Sequence, residues 1–244
     1  MLNIIVAYRN REQQKAIFID SLHKFLVESN IQSFRINIIE QNYEKEFNKG
    51  CLWNIGFLET TLGEGDYFCF HDIDLLPNSP NVCYQKPPSN SIVHPYGHRH
   101  CLGGKILINP DTYKKMNGFS TKYWSWGFED TDFMLRAKYN DVKIIRDNFT
   151  ERFNTEVYYE LDADDTAYKE KFQRLGTRVN EILFYNTLID PVTSRNDGLT
   201  NTDYEIQDRI EYEKYTLLLC DIKNQNNNIR YVDALNKYTA DMNL

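Results

Sequence analysis

The chain opens on a nearly unbroken apolar run, Leu2 to Tyr8, the pattern of a strand covered on both faces. From Glu12 to Glu28 the period changes: Ile17, Phe18, Leu22, Phe25 and Leu26 recur at helical spacing, so an amphipathic helix is expected to follow the strand. Phe34 to Ile39 predicts a second strand, Asn48 to Thr61 a second helix carrying Leu52, Ile55, Phe57 and Leu58, and Tyr67 to His71 a third strand. Alternating β and α elements imply an α/β fold, a largely parallel sheet with helices on its faces. After Pro77 the pattern loosens into Pro- and Asn-rich sequence. A strand at Ile106–Ile108, a short helix at Asp111–Met116, a Gly-aromatic segment from Gly118 to Gly127, a helix at Glu129–Tyr139 and a strand at Val142–Ile145 follow. Thr150 to Asp197 is polar, acidic and weakly periodic, the pattern of a mobile loop with some helix. The last segment holds one clear strand, Tyr215–Cys220, and an Asn-rich turn at Asn224–Asn228.

Composition narrows the partners. At 244 residues the chain suits one domain. A net charge of -7, with no stripe of Lys or Arg, argues against nucleic acid and against a membrane surface. The apolar start reaches Arg9 and Arg11 too soon to span a bilayer and lacks a basic leader and cleavage site, so a cytoplasmic protein is expected. Five cysteines without a CxxC pair disfavour a zinc or redox motif and are expected to be thiols.

In a parallel α/β sheet the ligand lies beyond the carboxyl ends of the strands, which draws attention to Arg9-Asn10-Arg11 and to Asp72-Ile73-Asp74. The two aspartates, i and i+2 after the strand Tyr67–His71, offer hard oxygen donors suited to Mg²⁺ or Mn²⁺; a pair of solvated turn carboxylates is the alternative. A second constellation runs from Gly118 to Asp132, where Trp124 and Trp126 precede Glu129, Asp130 and Asp132. Indole faces can pack on a sugar while carboxylates bond its hydroxyls and one removes a proton, although acids opening a helix can equally serve its dipole. His94, His98 and His100 are candidate acceptor contacts or structural histidines.

These segments together resemble the β-1,4-galactosyltransferase family. The arginine-rich element after the family's first strand is matched by Ala7-Tyr8-Arg9-Asn10-Arg11, its Phe-Asn-Arg segment by Phe47-Asn48-Lys49, and its DVDL-P motif by Asp72 to Pro77. Its FGG turn is matched by Leu102-Gly103-Gly104, its NGF…YWGWGGEDDD block by Asn117 to Asp132, and its DGL segment by Asp197-Gly198-Leu199. The resemblance implies a GT-A fold with a DxD turn. Residues 1–109 would mainly bind nucleotide sugar, and residues 110–244 would mainly supply acceptor and catalytic groups. It also implies inverting transfer of galactose from UDP-galactose to a glycan hydroxyl, with Mn²⁺ or Mg²⁺ as cofactor. On the donor side it implies Arg9, Arg11, Phe47, Lys49, Asp72, Asp74, Gly104, Trp126 and Glu129. Asp74 would bind metal, Asp130 would be the general base, and His98, Cys101, Trp126, Asp130 and Thr131 would meet the acceptor.

The chain departs from the family pattern in ways that bear on the site. It has no His beyond His100, where the family supplies a metal ligand, which leaves Asn154 or Glu156 as substitutes, or Asp74 and the diphosphate alone. A family lysine before the FGG turn has no clear counterpart. Cys69 and Cys83 fall where the family carries a disulfide, yet are expected as neighbouring thiols. Cys101 replaces a bulky aromatic, which opens N-acetylgalactosamine as an alternative donor sugar. A phosphohydrolase using the DxD and a silent glycan-binding module are the readings from other classes.

Overall fold

A computed structural model describes residues 1–31, 33–42, 46–152, 154–161, 174–191, 196–225 and 233. Strand β1 (Leu2–Tyr8) is buried along its whole length because it has a helical layer on each side. Its alternate side chains sort between them. Ile5 and Ala7 join helix α2 (Lys49–Leu58), whereas Leu2, Ile4, Val6 and Tyr8 join Phe18, Leu22 and Leu26 of helix α1 (Glu12–Glu28). Asn48 starts α2 by accepting a bond from Cys51 N at 2.9 Å, which places Lys49 at the first helical position.

Strands β2 (Phe34–Gln41) and β3 (Tyr67–His71) lie parallel to β1 on either side, as the alternation of elements implies. Beyond β3 the chain turns back through β4 (Leu75–Pro77), β5 (Ser91–Gly97) and β6 (Lys105–Ile108), with β6 antiparallel to both β3 and β5. Helix α3 (Pro110–Lys115), helix α4 (Glu129–Tyr139) and strand β7 (Lys143–Ile145) follow, and β7 pairs parallel with β5. The last two strands, β10 (Tyr204–Glu211) and β11 (Thr216–Ile222), return to the far edge, where β11 lies parallel to β2. The sheet order is β10-β11-β2-β1-β3-β6-β5-β7. Phe119 and Phe133 stack at 3.8 Å beneath the Gly-aromatic segment, so that segment and α4 are fixed to the same core as α2.

Three expectations need correction. Ser91–Gly97 does not read as a strand because Pro95 cannot donate to a ladder; it sits where the β5–β6 register shifts, between Val93 and Tyr96. Tyr204–Glu211 is an edge strand whose exposed charges hide its period. The stretch from Thr150 to Asp197 contains the expected helix, α5 (Leu175–Ile189), but also two unexpected strands, β8 (Thr150–Glu151) and β9 (Tyr158–Glu160). Residues 162–173 and 192–195 of that stretch lie outside the described residues, as do 226–228 of the Asn-rich turn.

Candidate active site

Both acidic motifs are placed by short connections at the ends of buried elements. Asp72 follows β3 directly, and its N–H donates to Gly104 O at 2.9 Å, while Leu102 N donates to Asp130 O at 3.1 Å. The Leu102-Gly103-Gly104 turn therefore ties the end of β3 to the start of α4. A Cβ on Gly103 would run into Asp130 Oδ2, so glycine is what allows this close approach.

Lys49 stands at the centre. Its Nζ donates to Asp130 Oδ2 at 2.8 Å and lies 2.9 Å from Glu129 Oε1, 3.7 Å from Asp72 Oδ1 and 4.7 Å from the centre of the Trp53 ring. Burial alone would favour the neutral amine, but Asp130, Asp72 and Glu129 outweigh it and hold the ammonium well above the usual lysine range. One cation cannot satisfy three carboxylates. Burial, aided by Glu129 and Asp72 against the pull of Lys49, pushes the Asp130 carboxyl up to about 7; burial likewise raises Asp72. Asp130 Oδ1 is buried and has no hydrogen-bond partner among the described residues. The acids at the start of α4 thus do not cap it: its N-cap is Phe128, with φ +74° and no side-chain cap bond.

On the other side, Arg11 donates from a terminal guanidinium nitrogen to Asp74 Oδ2 at 3.0 Å, and Arg9 stacks over the Phe47 ring at 5.4 Å. Asp72 and Asp74 are therefore not simply solvated turn carboxylates. The surrounding cavity is about 580 Å³. From the first 109 residues it is lined by Arg9, Arg11, Phe47, Lys49, Asp72, Asp74, His98, Cys101 and Gly104, and from the rest by Trp126, Glu129, Asp130 and Thr131. Every residue to which the resemblance gives a donor, metal, base or acceptor role lines this one space, to which both halves of the chain contribute.

Other candidates fall away. Trp124 is fully buried. His94 is buried and structural: Nε2 bonds Gly103 O at 3.0 Å, Nδ1 accepts from Arg146 Nε at 3.0 Å, and burial pushes its imidazole down to about 4. Neither Asn154 nor Glu156 lines the cavity; Asn154 Oδ1 instead accepts a bond from Glu156 N at 3.0 Å. The DGL segment is a brace, since Asp197 accepts from Ser120, from Thr121 N at 3.0 Å and from Thr121 Oγ1 at 2.6 Å. Cys69 and Cys83 are free thiols, and burial pushes Cys69 up to about 12.

The lining residues that the sequence does not point to include Tyr96, Arg152 and Glu160. Arg152 Nε donates to both Glu160 oxygens, at 2.9 and 3.1 Å, and Tyr96 OH donates to Glu160 Oε1 at 2.6 Å. The available signal was the alternation of Tyr158-Tyr159-Glu160, which becomes β9 paired with β4 directly after Asp74. For a divalent cation, no cluster of three His, Cys, Asp or Glu exists among the described residues. Asp74 with Asp72 offers an all-oxygen donor pair at the cavity wall. That suits Mg²⁺ or Mn²⁺, whose shell substrate phosphates and water ordinarily complete.

Comparison with known proteins settles the lineage. A family model described as the N-terminal region of glycosyl transferase group 7 matches residues 1–87, and one described as the N-terminal domain of galactosyltransferase matches residues 89–160. The chain belongs to the β-1,4-galactosyltransferase family. Among its relatives, the xylosylprotein 4-beta-galactosyltransferase of Caenorhabditis elegans is 38% identical over 153 residues, 59% of this chain and 53% of that protein. Human beta-1,4-galactosyltransferase 4 is 31% identical over 212 residues, 83% of this chain and 58% of that protein. The chain spans about half the length of the curated relatives it matches. A Drosophila β1,4-galactosyltransferase 7 variant, crystallised with manganese, UDP-Gal and xylobiose, superposes with a TM-score of 0.74 at 24% identity, covering 93% of this chain and 95% of that one. The family's fold is thereby the GT-A fold, with its mostly parallel sheet and flanking helices.

Proposed function

We propose that the protein is an inverting glycosyltransferase that moves galactose from UDP-galactose to a hydroxyl of a glycan acceptor. The observation that carries this reading is the convergence of Asp72, Glu129 and Asp130 around Lys49, with Asp74 held by Arg11, in one cavity walled by Trp126. Galactosyl transfer by the family, and the manganese, UDP-Gal and xylobiose bound to the Drosophila relative, support it. In this reading the acceptor oxygen attacks the anomeric carbon as the diphosphate oxygen leaves, and Asp130 takes the acceptor's proton. Its carboxyl near 7 suits a base working at neutral pH. Arg9, Arg11 and Phe47 would hold the uridine diphosphate, Glu129 the donor sugar, and Trp126 would stand between donor and acceptor, with His98, Cys101 and Thr131 toward the acceptor. Asp74 would hold a divalent cation, which neutralises charge on the departing diphosphate. UDP release on mixing UDP-galactose with an array of acceptor sugars tests the proposal. A folded protein that releases no UDP with any acceptor overturns it and favours a silent glycan-binding role.

Metal dependence gives a separate test. Asp74→Ala is expected to weaken UDP binding in Mn²⁺ by at least about 10-fold, because the diphosphate would lose its shared cation. Calorimetric titration with UDP in Mn²⁺ and in EDTA reads this. Tight, unchanged affinity in EDTA removes the metal from the reading.

Cys101 favours a second donor. Its small side chain lines the cavity; in this reading it stands between acceptor and donor sugar, where the bulky aromatic at the matching family position would crowd an acetamido group. N-acetylgalactosamine transfer is therefore expected to be measurable in wild type. Cys101→Tyr is expected to shift the ratio of kcat/KM values toward galactose by roughly 10-fold or more, the scale at which pocket volume discriminates. An unshifted ratio would show that Cys101 does not face the donor sugar.

A further inference from the structure

Helix α5 does not line the cavity, yet one of its faces follows the tryptophan segment residue by residue. A Cβ on Gly176 would lie 2.8 Å from Ser125 Cβ, and Thr177 Cγ2 comes within 3.5 Å of the Cβ position of Gly127. The Phe184 ring lies 5.7 Å from the Phe128 ring, and Thr187 Oγ1 lies 3.5 Å from Tyr123 OH. At the middle of this face Asn180 is fully buried, and its Nδ2 donates to Trp124 O at 2.7 Å, Gly127 O at 3.0 Å and Trp126 O at 3.3 Å.

The segment needs such a clamp. Ser125, Gly127 and Phe128 adopt φ of +70°, +93° and +74°, and two of the three are not glycine, so the backbone does not favour this shape by itself. A further tie on this stretch is Ser125 N to Phe47 O at 2.8 Å. Immediately after Phe128, α4 begins with Glu129 and Asp130. A single side-chain amide thus holds the carbonyls of the loop that presents Trp126 to the cavity and launches the two acids that meet Lys49.

We propose that Asn180 is a positioning residue of the active site, setting Trp126, Glu129 and Asp130 through the backbone of Trp124–Gly127. The role in turnover rests on the transferase reading above, whereas the positioning itself can be measured without turnover. Trp53 and Trp124 are buried and Trp126 lines the cavity, so acrylamide quenching of tryptophan fluorescence reports chiefly on Trp126. Asn180→Ala is compared with Asn180→Ser, which keeps one donor, and with Asn109→Ala. Asn109 donates its amide to two carbonyls, Pro87 O at 2.9 Å and Pro88 O at 3.0 Å, remote from the cavity lining.

Asn180→Ala is expected to lower kcat for UDP-galactose roughly 10- to 100-fold, the cost of misplacing reacting groups by about an ångström. UDP affinity should stay within about threefold, because Arg9, Arg11 and Phe47, which hold the uridine diphosphate in this reading, are not bonded by Asn180. Quenching should rise, Asn180→Ser should fall between wild type and Ala in both readouts, and Asn109→Ala should lower the melting temperature alone. Wild-type kcat and quenching in folded Asn180→Ala overturns the proposal; so do losses in both readouts that Asn109→Ala reproduces. If Asn180→Ala does not fold, the same comparison is made with Asn180→Ser. If the wild type transfers no sugar, the transferase reading fails and the quenching comparison alone decides the positioning.

Discussion

Lys49→Met is expected to destabilise the protein by about 3–5 kcal/mol near neutral pH, the usual cost of stripping one partner from a buried ionic cluster. The Lys49 side chain is 16% exposed and its ammonium faces Asp130, Glu129 and Asp72, so its removal leaves these acids close together without that counter-ion. The pH dependence follows from the signs of the shifts. The lysine's folded pKa lies above its unfolded value, so the stability tied to its own proton is complete below the unfolded value and its own titration adds no pH dependence between about pH 5 and 9. Asp130 is also raised, to about 7, so the stability associated with its proton is present below its unfolded pKa, near 4, and is lost as pH rises through 7. Without Lys49 the carboxylates rise further, and the deficit of the variant should grow from pH 5 to pH 8. Lys49→Arg, which restores a cation, should recover most of the loss. Urea unfolding of all three proteins at both pH values is the measurement. A Met variant within about 1 kcal/mol of wild type at pH 8 would show that solvent already screens the cluster.

That cluster marks the limit of what the sequence discloses. Strand β1 and helix α1 are legible to the residue because each is bounded by residues of opposite character and has a clean period. Asp72 and Asp74 are legible because a strongly apolar strand points at them. Lys49 can be given a place in the site from Phe47-Asn48-Lys49 but not its partners, since the contact with Asp130 joins positions 81 apart and depends on how α2 and α4 pack on a common core. Arg152 and Glu160 stay hidden for a related reason. They bond each other, and a charge compensated by a neighbour of opposite sign looks like ordinary polar surface in a polar segment. Asn180 is harder still, for an asparagine in a helix has low propensity and announces nothing until the carbonyls it serves are in view. Pro95 misleads in the other direction, because its cost to a strand is absorbed by a register shift that no local rule shows.

Asp130→Asn is expected to lower kcat by roughly 10²-fold or more while leaving UDP affinity nearly unchanged, since a general base is lost and the diphosphate side of the cavity is not touched. Asparagine keeps the shape and can still accept a bond from Lys49 at the Oδ2 position, so the geometry around Leu102-Gly103-Gly104 should survive. Stability separates this role from a structural one. Burial and the neighbouring acids disfavour ionised Asp130, so the neutral amide should cost nothing above pH 7 and should raise the melting temperature there if it changes it at all. A residue whose purpose was to serve the helix dipole would instead lose about 1 kcal/mol on this substitution and keep its turnover. The pH profile adds a further check. Transfer by the wild type should rise with pH and reach half its plateau near 7, as the carboxyl gives up its proton. The residual activity of the variant should lack that limb, because no group titrating near 7 remains at position 130. Melting temperature, UDP affinity and turnover from pH 5.5 to 8.5, taken on one preparation, decide the matter. A folded Asp130→Asn protein with near-normal turnover, or one that retains the wild-type acid limb, would remove Asp130 from the proton-transfer step.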